Sequence, residues 1–436
     1  NIFGGSIGGP IKQDRAFFFF NYEGRRDASE TSEVRNVPST DLRNGIVKYR
    51  TTGGGIATLS PTDIRTRVDP AGLGPNQRVL DLFRSYPEPN DATVGDGLNI
   101  VGYRFVAPLS LKQNTYITRL DMRIDRNGNH NLFLRGNLQN DRDNEAPQFP
   151  GEPPARVRLN NSKGLGIGYD AILSPTLVSN FRYGFTRQGD EQTGQQTQSA
   201  ISFRNIANRF ALTRGITRIL PVHTIREDVN WRSGSHNIQF GGIARYIANQ
   251  RTDLQNSFNR GNTNSSWLQG SGNDLQPADL NRTFRVAYND AMVALLGIVS
   301  FGEAIYNYTP GGQVIPTGDP IFRNFKNSEF ESYIQDTWHV TRGLTLTYGL
   351  RWSLMRPVYE ANGAQVSTIP SLAQFFATRG ALAAAGRSQA EVGKVQVDLA
   401  GKTGRPLYPY HKDNLAPRLA IAYSPQSTDG LLAKLF

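Results

Sequence analysis

The sequence has no cysteine, only five histidines, and no apolar run of 18 residues. Without thiols there is no disulfide framework, thiolate nucleophile, iron–sulfur cluster or cysteine zinc site. The histidines (His130, His223, His236, His339 and His411) include no i,i+4 pair, so they read as surface or interfacial side chains beside turns and loops, and no metal or cofactor is expected. The missing apolar run excludes helical membrane spans, because a helix needs about 20 apolar residues to cross a bilayer. It does not exclude strands, which cross with roughly 10 residues of which alternate ones face lipid. What is present is 436 residues, 38% hydrophobic and 19% charged, ample for an ordered fold. The formal charge of +11 raises nucleic acid as a partner. The basic residues are dispersed along strands and loops without a nucleic-acid motif, so a wet channel wall or an anionic lipid surface accounts for them better.

The dominant pattern is alternation of period two in paired blocks. From Gly343 to Met355, residues Leu344, Leu346, Tyr348, Leu350, Trp352 and Leu354 share one parity, and Thr345, Thr347, Gly349, Arg351 and Ser353 the other. A helix would scatter these around its circumference, whereas a strand separates them onto two faces. Thr115–Asp125 repeats the arrangement and is followed by the turn signal Arg126-Asn127-Gly128-Asn129 and a second alternating block through Leu132, Leu134 and Leu138. Lys163–Leu173 pairs likewise with Leu177–Gln188, and Ile225–Trp231 with Ile238–Tyr246 across Ser233-Gly234-Ser235. Phe3–Ile11 and Ala16–Arg26 flank a short turn near the start, and Leu419, Ile421 and Tyr423 alternate near the end. The count is about eleven strands, plus the stub of another at Leu431–Phe436.

Connections within pairs take two to five residues, whereas those between pairs are long: about 27–113, 143–161, 191–221, 251–328 and 357–413. Strict alternation of short and long is foreign to soluble sandwiches and is the rule in outer-membrane barrels, with short periplasmic turns and long extracellular loops. One strand face is leucine-rich and aromatic, while the other carries Arg119, Asp121, Arg123, Arg135, Arg182, Arg245 and Arg351, acceptable only in a wet lumen. The expected fold is all-β: a partial transmembrane antiparallel barrel. Strand parity places 284–312 within an elaborated loop, as a helix plus a hairpin over Ile298–Tyr308. Short helices are expected near Arg78–Ser85 and Leu372–Gly386. Tyr22, Trp231, Tyr246, Trp338, Trp352 and Tyr423 lie towards strand ends, as interfacial girdles require.

The runs FGGSIGGPIKQDRAFFFFNYEG (Phe3–Gly24), YIQDTWHVTRGLTLTYGLRW (Tyr333–Trp352) and NLAPRLAIAY (Asn414–Tyr423) resemble TonB-dependent outer-membrane receptors of the Oar-like group. RLDMRID (Arg119–Asp125), SPTLVSNFRYGFTR (Ser174–Arg187) and HNIQFGG (His236–Gly242) support the resemblance. It implies a 22-stranded barrel, occluded by an N-terminal plug and energised through a TonB box by a TonB–ExbB–ExbD complex. Implied solutes include siderophores, carbohydrates and peptides; the protein would sit in lipid and lipopolysaccharide of the bacterial outer membrane. Residues 1–436 would then be the N-terminal part of that barrel. Plug, TonB box and C-terminal strands are expected outside this chain, which opens on Asn1 and reads as an excerpt. The alternative role is adhesion or surface assembly, with the barrel displaying its loops.

Sharper readings compete with plainer ones. Gly4-Gly5-Ser6-Ile7-Gly8 fits a nucleophile elbow, but a strand follows where the elbow needs a helix, so no enzyme is expected. Gly164, Gly166 and Gly168 hint at a phosphate loop but alternate with Leu165, Ile167 and Tyr169, as small inward positions of a strand leaving room for a plug. Asn140-Asp141-Arg142-Asp143-Asn144-Glu145 offers oxygen ligands for calcium, although a solvated loop tip explains it better. Catalytic, cofactor and metal residues are therefore none, and the substrate-binding residues are unknown from sequence.

Overall fold

The computed structural model describes residues 1–265 and 275–424. Eleven long strands form one continuous antiparallel sheet: β1 (Ile2–Lys12), β2 (Ala16–Pro38), β3 (Ile100–Arg123), β4 (His130–Asn144), β5 (Lys163–Ser174), β6 (Leu177–Gly194), β7 (Ile216–Ser233), β8 (His236–Asp253), β9 (Ile321–Thr341), β10 (Leu344–Met355) and β11 (Asn414–Tyr423). Each strand pairs with its neighbours in sequence, the meander that short hairpin turns impose. Gly128 (φ 74) and Gly234 (φ 59) occupy left-handed turn positions where a side chain would be strained. Arg156–Asn160 continues β5 upward without changing register, since Asp141 pairs Asn160 and Leu138 pairs Lys163. The strand stub expected at Leu431–Phe436 lies outside the described residues.

The pairings fix how the strands lean. Ala16 pairs Met122 and the next turn closes at Arg123; Asn131 pairs Asp170 and the next closes at Ser174; Leu177 pairs Trp231 and the next closes at Ser233; His236 pairs Trp338 and the next closes at Thr341. Each turn is thus offset from its predecessor by one to four residues, about 1.25 per strand. With a rise of about 3.3 Å and strands about 4.8 Å apart, that stagger is a tilt of roughly 40°. This is the lean of a transmembrane barrel wall.

Register also sorts the faces, because directly opposed residues share a side. Leu350, Ile334, Phe240, Val229, Ser179, Ala171 and His130 follow one another across β10 to β4, and Leu132, of the same parity as His130, is opposite Met122 on β3. Carried along every strand, this side holds the apolar parity, and the other holds all seven charged residues named above. The six expected girdle aromatics fall on the apolar side. Trp231 pairs Ile238, and Tyr246 lies eight residues further on, about 26 Å along the strand. At that tilt the two levels stand about 20 Å apart, the scale of a barrel's apolar band.

Strands run further than alternation indicated. The first four expected connections shorten to 39–99, 145–155, 195–215 and 254–320, and the last spans 356–413. β2 and β3 rise together to Pro38 and Ile100, well clear of the band. Here neither face meets lipid, so the two-fold pattern that marks a strand in sequence disappears. β8 pairs directly with β9, from Asp253 opposite Ile321 downward, so the 254–320 segment contributes no strand to the wall.

The long connections lie at the loop side, and the first four of them share one core and form a cap. Its longer helices are α1 (Gln77–Arg84) and α2 (Arg285–Leu296), and the last connection carries α3 (Leu372–Ala384). Phe301–Glu303 does not form the hairpin expected over Ile298–Tyr308; it pairs with Arg260–Asn262, which pairs with Ala200–Ser202. The cap core is Val37, Leu42, Tyr49, Ile64, Phe83, Tyr86, Phe149, Phe203, Phe284, Tyr288, Met292 and Leu295, among others. It packs on the inward parity of the β2–β3 extension, through Val37, Val101 and Tyr103. Among the described residues no helix is long and apolar enough to cross a membrane.

Candidate functional site

The inward face is polar, and five of its arginines are paired with carboxylates, whereas among the described residues Arg123 donates only to the Asp14 carbonyl. Arg119 meets Asp121 at 2.7 Å and Arg182 meets Asp170 at 2.6 Å. Arg226 pairs with Asp228, which also accepts from the Tyr333 hydroxyl at 2.7 Å; Arg245 pairs with Glu329, and Arg351 lies 3.6 Å from Glu331. Such pairs leave little net field along the wall, while their exposed edges still offer donors and acceptors to water or a passing polar solute. The guanidinium groups of Arg119 and Arg182 also stack on Phe133, 4.9 and 5.4 Å from its ring centre.

That ring explains the glycine run. A Cβ on Gly168 would stand 2.1 Å from Phe133 Cε1, and one on Gly164 would stand 2.1 Å from Asn137 Oδ1. The glycines are inward as expected; β4 side chains take the space at Gly164 and Gly168, which corrects the reading of room for a plug at those two positions, while Gly166 has no side chain within 4 Å. Ser6 sits mid-strand opposite Asn21, with no helix following, so the elbow is not formed. Asn140 to Asn144 belong to β4 and not to a loop tip: Asp141 and Asp143 face inward, and Asn140, Arg142 and Asn144 outward. Oxygens on opposite sides of a sheet cannot surround one ion, and among the described residues no cluster of His, Asp and Glu is suited to a metal.

Polar side chains on the apolar face are satisfied sideways. His130 Nδ1 meets Tyr169 Oη at 2.7 Å, His223 Nδ1 meets Tyr183 Oη at 2.9 Å, and Asp336 takes both His236 Nδ1 at 2.6 Å and the Tyr348 hydroxyl at 2.8 Å. His223 lies within β7, opposite Tyr246 at the girdle level, an interfacial position.

Sequence reasoning missed the cap as a folded unit. Buried Arg43 roots it, donating to the Pro38 and Tyr86 carbonyls and to Glu88 Oε1, each at 3.0 Å, and to the Pro87 carbonyl. Fully buried Asn99 imitates a strand, accepting from Lys48 N at 2.8 Å and donating to Lys48 O at 2.7 Å. Tyr86 donates to Ala207 O at 2.7 Å and Tyr49 to Asp279 Oδ1 at 2.9 Å, so three connections are cross-tied. Asp290 is buried on α2, accepting from Ser265 Oγ at 2.5 Å and Asn205 Nδ2 at 2.7 Å. Burial pushes its carboxyl above the ordinary carboxylate range, against the opposing pull of Ser265, Arg204 and Asn205.

The cap contains a cavity of about 470 Å³ lined by Glu152, Gln195 to Leu212 in two stretches, and Leu82. Its charges cancel, since Arg209 pairs with Glu152 and stacks 4.8 Å from Phe210. What remains open to a ligand is amide and hydroxyl chemistry from Thr197, Gln198 and Asn208, whose buried Oδ1 has no hydrogen-bond partner, beside the exposed Phe210 ring. This lining can hydrogen-bond an uncharged polar molecule and cover one apolar face of it.

The family model described as outer membrane beta barrel domain matches residues 1–431, and the chain belongs to that family. Its short turns are therefore periplasmic, its cap extracellular and its location the bacterial outer membrane. Among solved structures it is similar to the outer membrane transporter YddB from Escherichia coli (11% identity, 82% of this chain and 34% of that one, TM-score 0.39). It is also similar to the FrpB iron transporter from Neisseria meningitidis (10%, 97% and 42%, 0.39) and the ferric preacinetobactin receptor BauA from Acinetobacter baumannii (12%, 83% and 41%, 0.33). The chain thus spans 34 to 42% of the length of these transporters. No curated protein matches the sequence.

Proposed function

We propose that this member of the outer membrane beta barrel family is the N-terminal part of the barrel of a TonB-dependent transporter of the Oar-like group, taking up a solute past a plug supplied by the rest of the protein. The observation that carries the reading is the pairing of charge along the inward wall beneath a cap with its own polar cavity. A wall most of whose arginines are neutralised in place lets a polar solute pass without binding it tightly. The cavity's cancelled charge favours an uncharged solute rich in hydroxyl or amide groups, a carbohydrate or peptide, over an anionic ferric chelate.

Growth of a deletion strain on limiting carbohydrate, peptide or ferric siderophore, with and without the full-length protein and with TonB function removed, tests this. Restored growth that needs TonB supports transport. Growth indifferent to the protein, with loss of surface attachment in the deletion strain, favours the display reading, which the separately cored cap also suits.

A further inference from the structure

The outward face carries a row of cations at the upper rim of the apolar band. Arg26 on β2 is directly opposite Lys112 on β3, and Lys112 is directly opposite Arg142 on β4. Two strands on, Lys163 is directly opposite Arg187. All five share the parity of Tyr22, Tyr116, Leu138, Leu165 and Phe185, lying one or two outward positions above them. The barrel's stagger of about 1.25 residues per strand brings Lys163 and Arg187 to the height of the first three.

Opposed residues on neighbouring strands stand about 5 Å apart, and like charges so placed oppose sheet pairing. The protein does not cancel these charges. Among the described residues none of the five has a carboxylate oxygen within 4 Å, whereas on the inward face Arg119, Arg182, Arg226, Arg245 and Arg351 each have one. Arg26 donates to the Gln113 carbonyl and to Asn114 Oδ1, Arg142 to Asn144 Oδ1 and Arg187 to the Asn161 carbonyl, contacts that orient the guanidinium groups and leave their charge intact. The outward acids of these strands, Glu30 and Glu191, lie four residues further from the membrane than Arg26 and Arg187.

We propose that this row is a binding site for the phosphate groups of lipopolysaccharide, whose acyl chains would lie against Tyr22, Tyr116, Leu138, Leu165 and Phe185. The side chains stand where an outer-leaflet glycolipid carries its phosphates, at the junction of apolar wall and water, and long basic side chains reach that level by extending along the strand. Arginine supplies paired donors to phosphate oxygens and lysine a compact charge. Anionic headgroups between the strands would turn mutual repulsion into bridging.

The test uses the full-length protein, folded and purified, and a variant carrying Arg26→Gln, Lys112→Gln, Arg142→Gln, Lys163→Gln and Arg187→Gln. A control neutralises five cations of the loop-side connections instead (Arg67, Arg84, Arg379, Lys394 and Lys402). Purified deep-rough lipopolysaccharide, the same material enzymatically dephosphorylated, and inorganic phosphate are the probes. Each cation near a charged lipid surface contributes about a fivefold effect, so the row variant should lose roughly 100-fold or more in apparent affinity, with the control unchanged. Dephosphorylated material should bind the native protein as weakly as phosphorylated material binds the variant. Equal retention by variant and native protein, or indifference to dephosphorylation, overturns the proposal, as does displacement by millimolar inorganic phosphate, which would assign the row to a free anion. Heat-modifiable migration checks folding; should the fivefold variant fail it, Lys112→Gln and Lys163→Gln singly should each lose about fivefold, and no loss in either overturns the site.

Discussion

Ile334 and Gln335 are adjacent on β9 and should answer differently to one substitution. Ile334 is outward, 55% exposed, opposite Phe240 and Leu350, and midway between the Trp338 level and the Tyr246 level of the apolar band. Gln335 is inward, opposite Gln239 and Gly349. An arginine facing lipid at mid-band costs about 2–4 kcal/mol, and one facing a wet lumen roughly none. Ile334→Arg should therefore be less stable than Gln335→Arg by about 3 kcal/mol, roughly 150-fold in the folding constant. Urea titration of the full-length protein in phospholipid vesicles, followed by tryptophan fluorescence and heat-modifiable migration, measures the difference; Ile334→Leu should be near neutral and controls for volume. If Gln335→Arg cost as much as Ile334→Arg, or more, the assignment of faces would fall, and with it both the lumen and the outward cation row.

Three further outcomes probe the interior. Arg43→Met leaves the Pro38, Tyr86 and Pro87 carbonyls without their buried donor and should destabilise the cap by about 3 kcal/mol, read as faster proteolysis of the cap with the barrel's gel mobility unchanged. Gly168→Leu drives into the Phe133 ring and should cost about 1–3 kcal/mol in vesicle unfolding; adding Phe133→Ala should recover part of that, and no recovery would mean the glycine serves another purpose. For Asp290 the folded carboxyl titrates above its unfolded value of 3.8, so its contribution is fully present below that pH and is lost as pH rises through the folded value. Cap opening, from hydrogen exchange of α2 corrected for intrinsic rates, should increase between pH 4 and pH 7, and Asp290→Asn should flatten that dependence.

The parts of the molecule legible in the sequence are those where two solvents meet across one sheet. Leu344 to Leu354 announces a strand because lipid selects every second residue and water the others, and the same holds for Tyr116 to Ile124 and Ile238 to Tyr246. Above the band that selection stops. Residues 27–38 and 100–112 are as firmly paired as those below, Glu30 with Pro108 and Arg35 with Tyr103, yet their side chains carry no period that separates them from a loop. The cap is harder still, because its core draws Leu42 and Tyr49, Phe83 and Tyr86, Phe203, and Tyr288 to Leu295 from three connections far apart in the chain. Only α2 has enough consecutive apolar residues to be noticed alone, and α1 shows a helix without showing what it packs on.

Charge follows the same logic. The excess of +11 is uninformative as a sum, and the sequence reading could only distribute it between lumen and lipid. Register divides it: five inward arginines meet carboxylates on their own or the adjacent strand, as Arg119 meets Asp121 and Arg245 meets Glu329, while the outward row from Arg26 to Arg187 meets none among the described residues. A soluble protein has no reason to align unpaired like charges across five strands of one face, since each opposed pair weakens the sheet that carries it. A membrane protein whose rim meets anionic lipid has one, because there the counterions come from outside the chain.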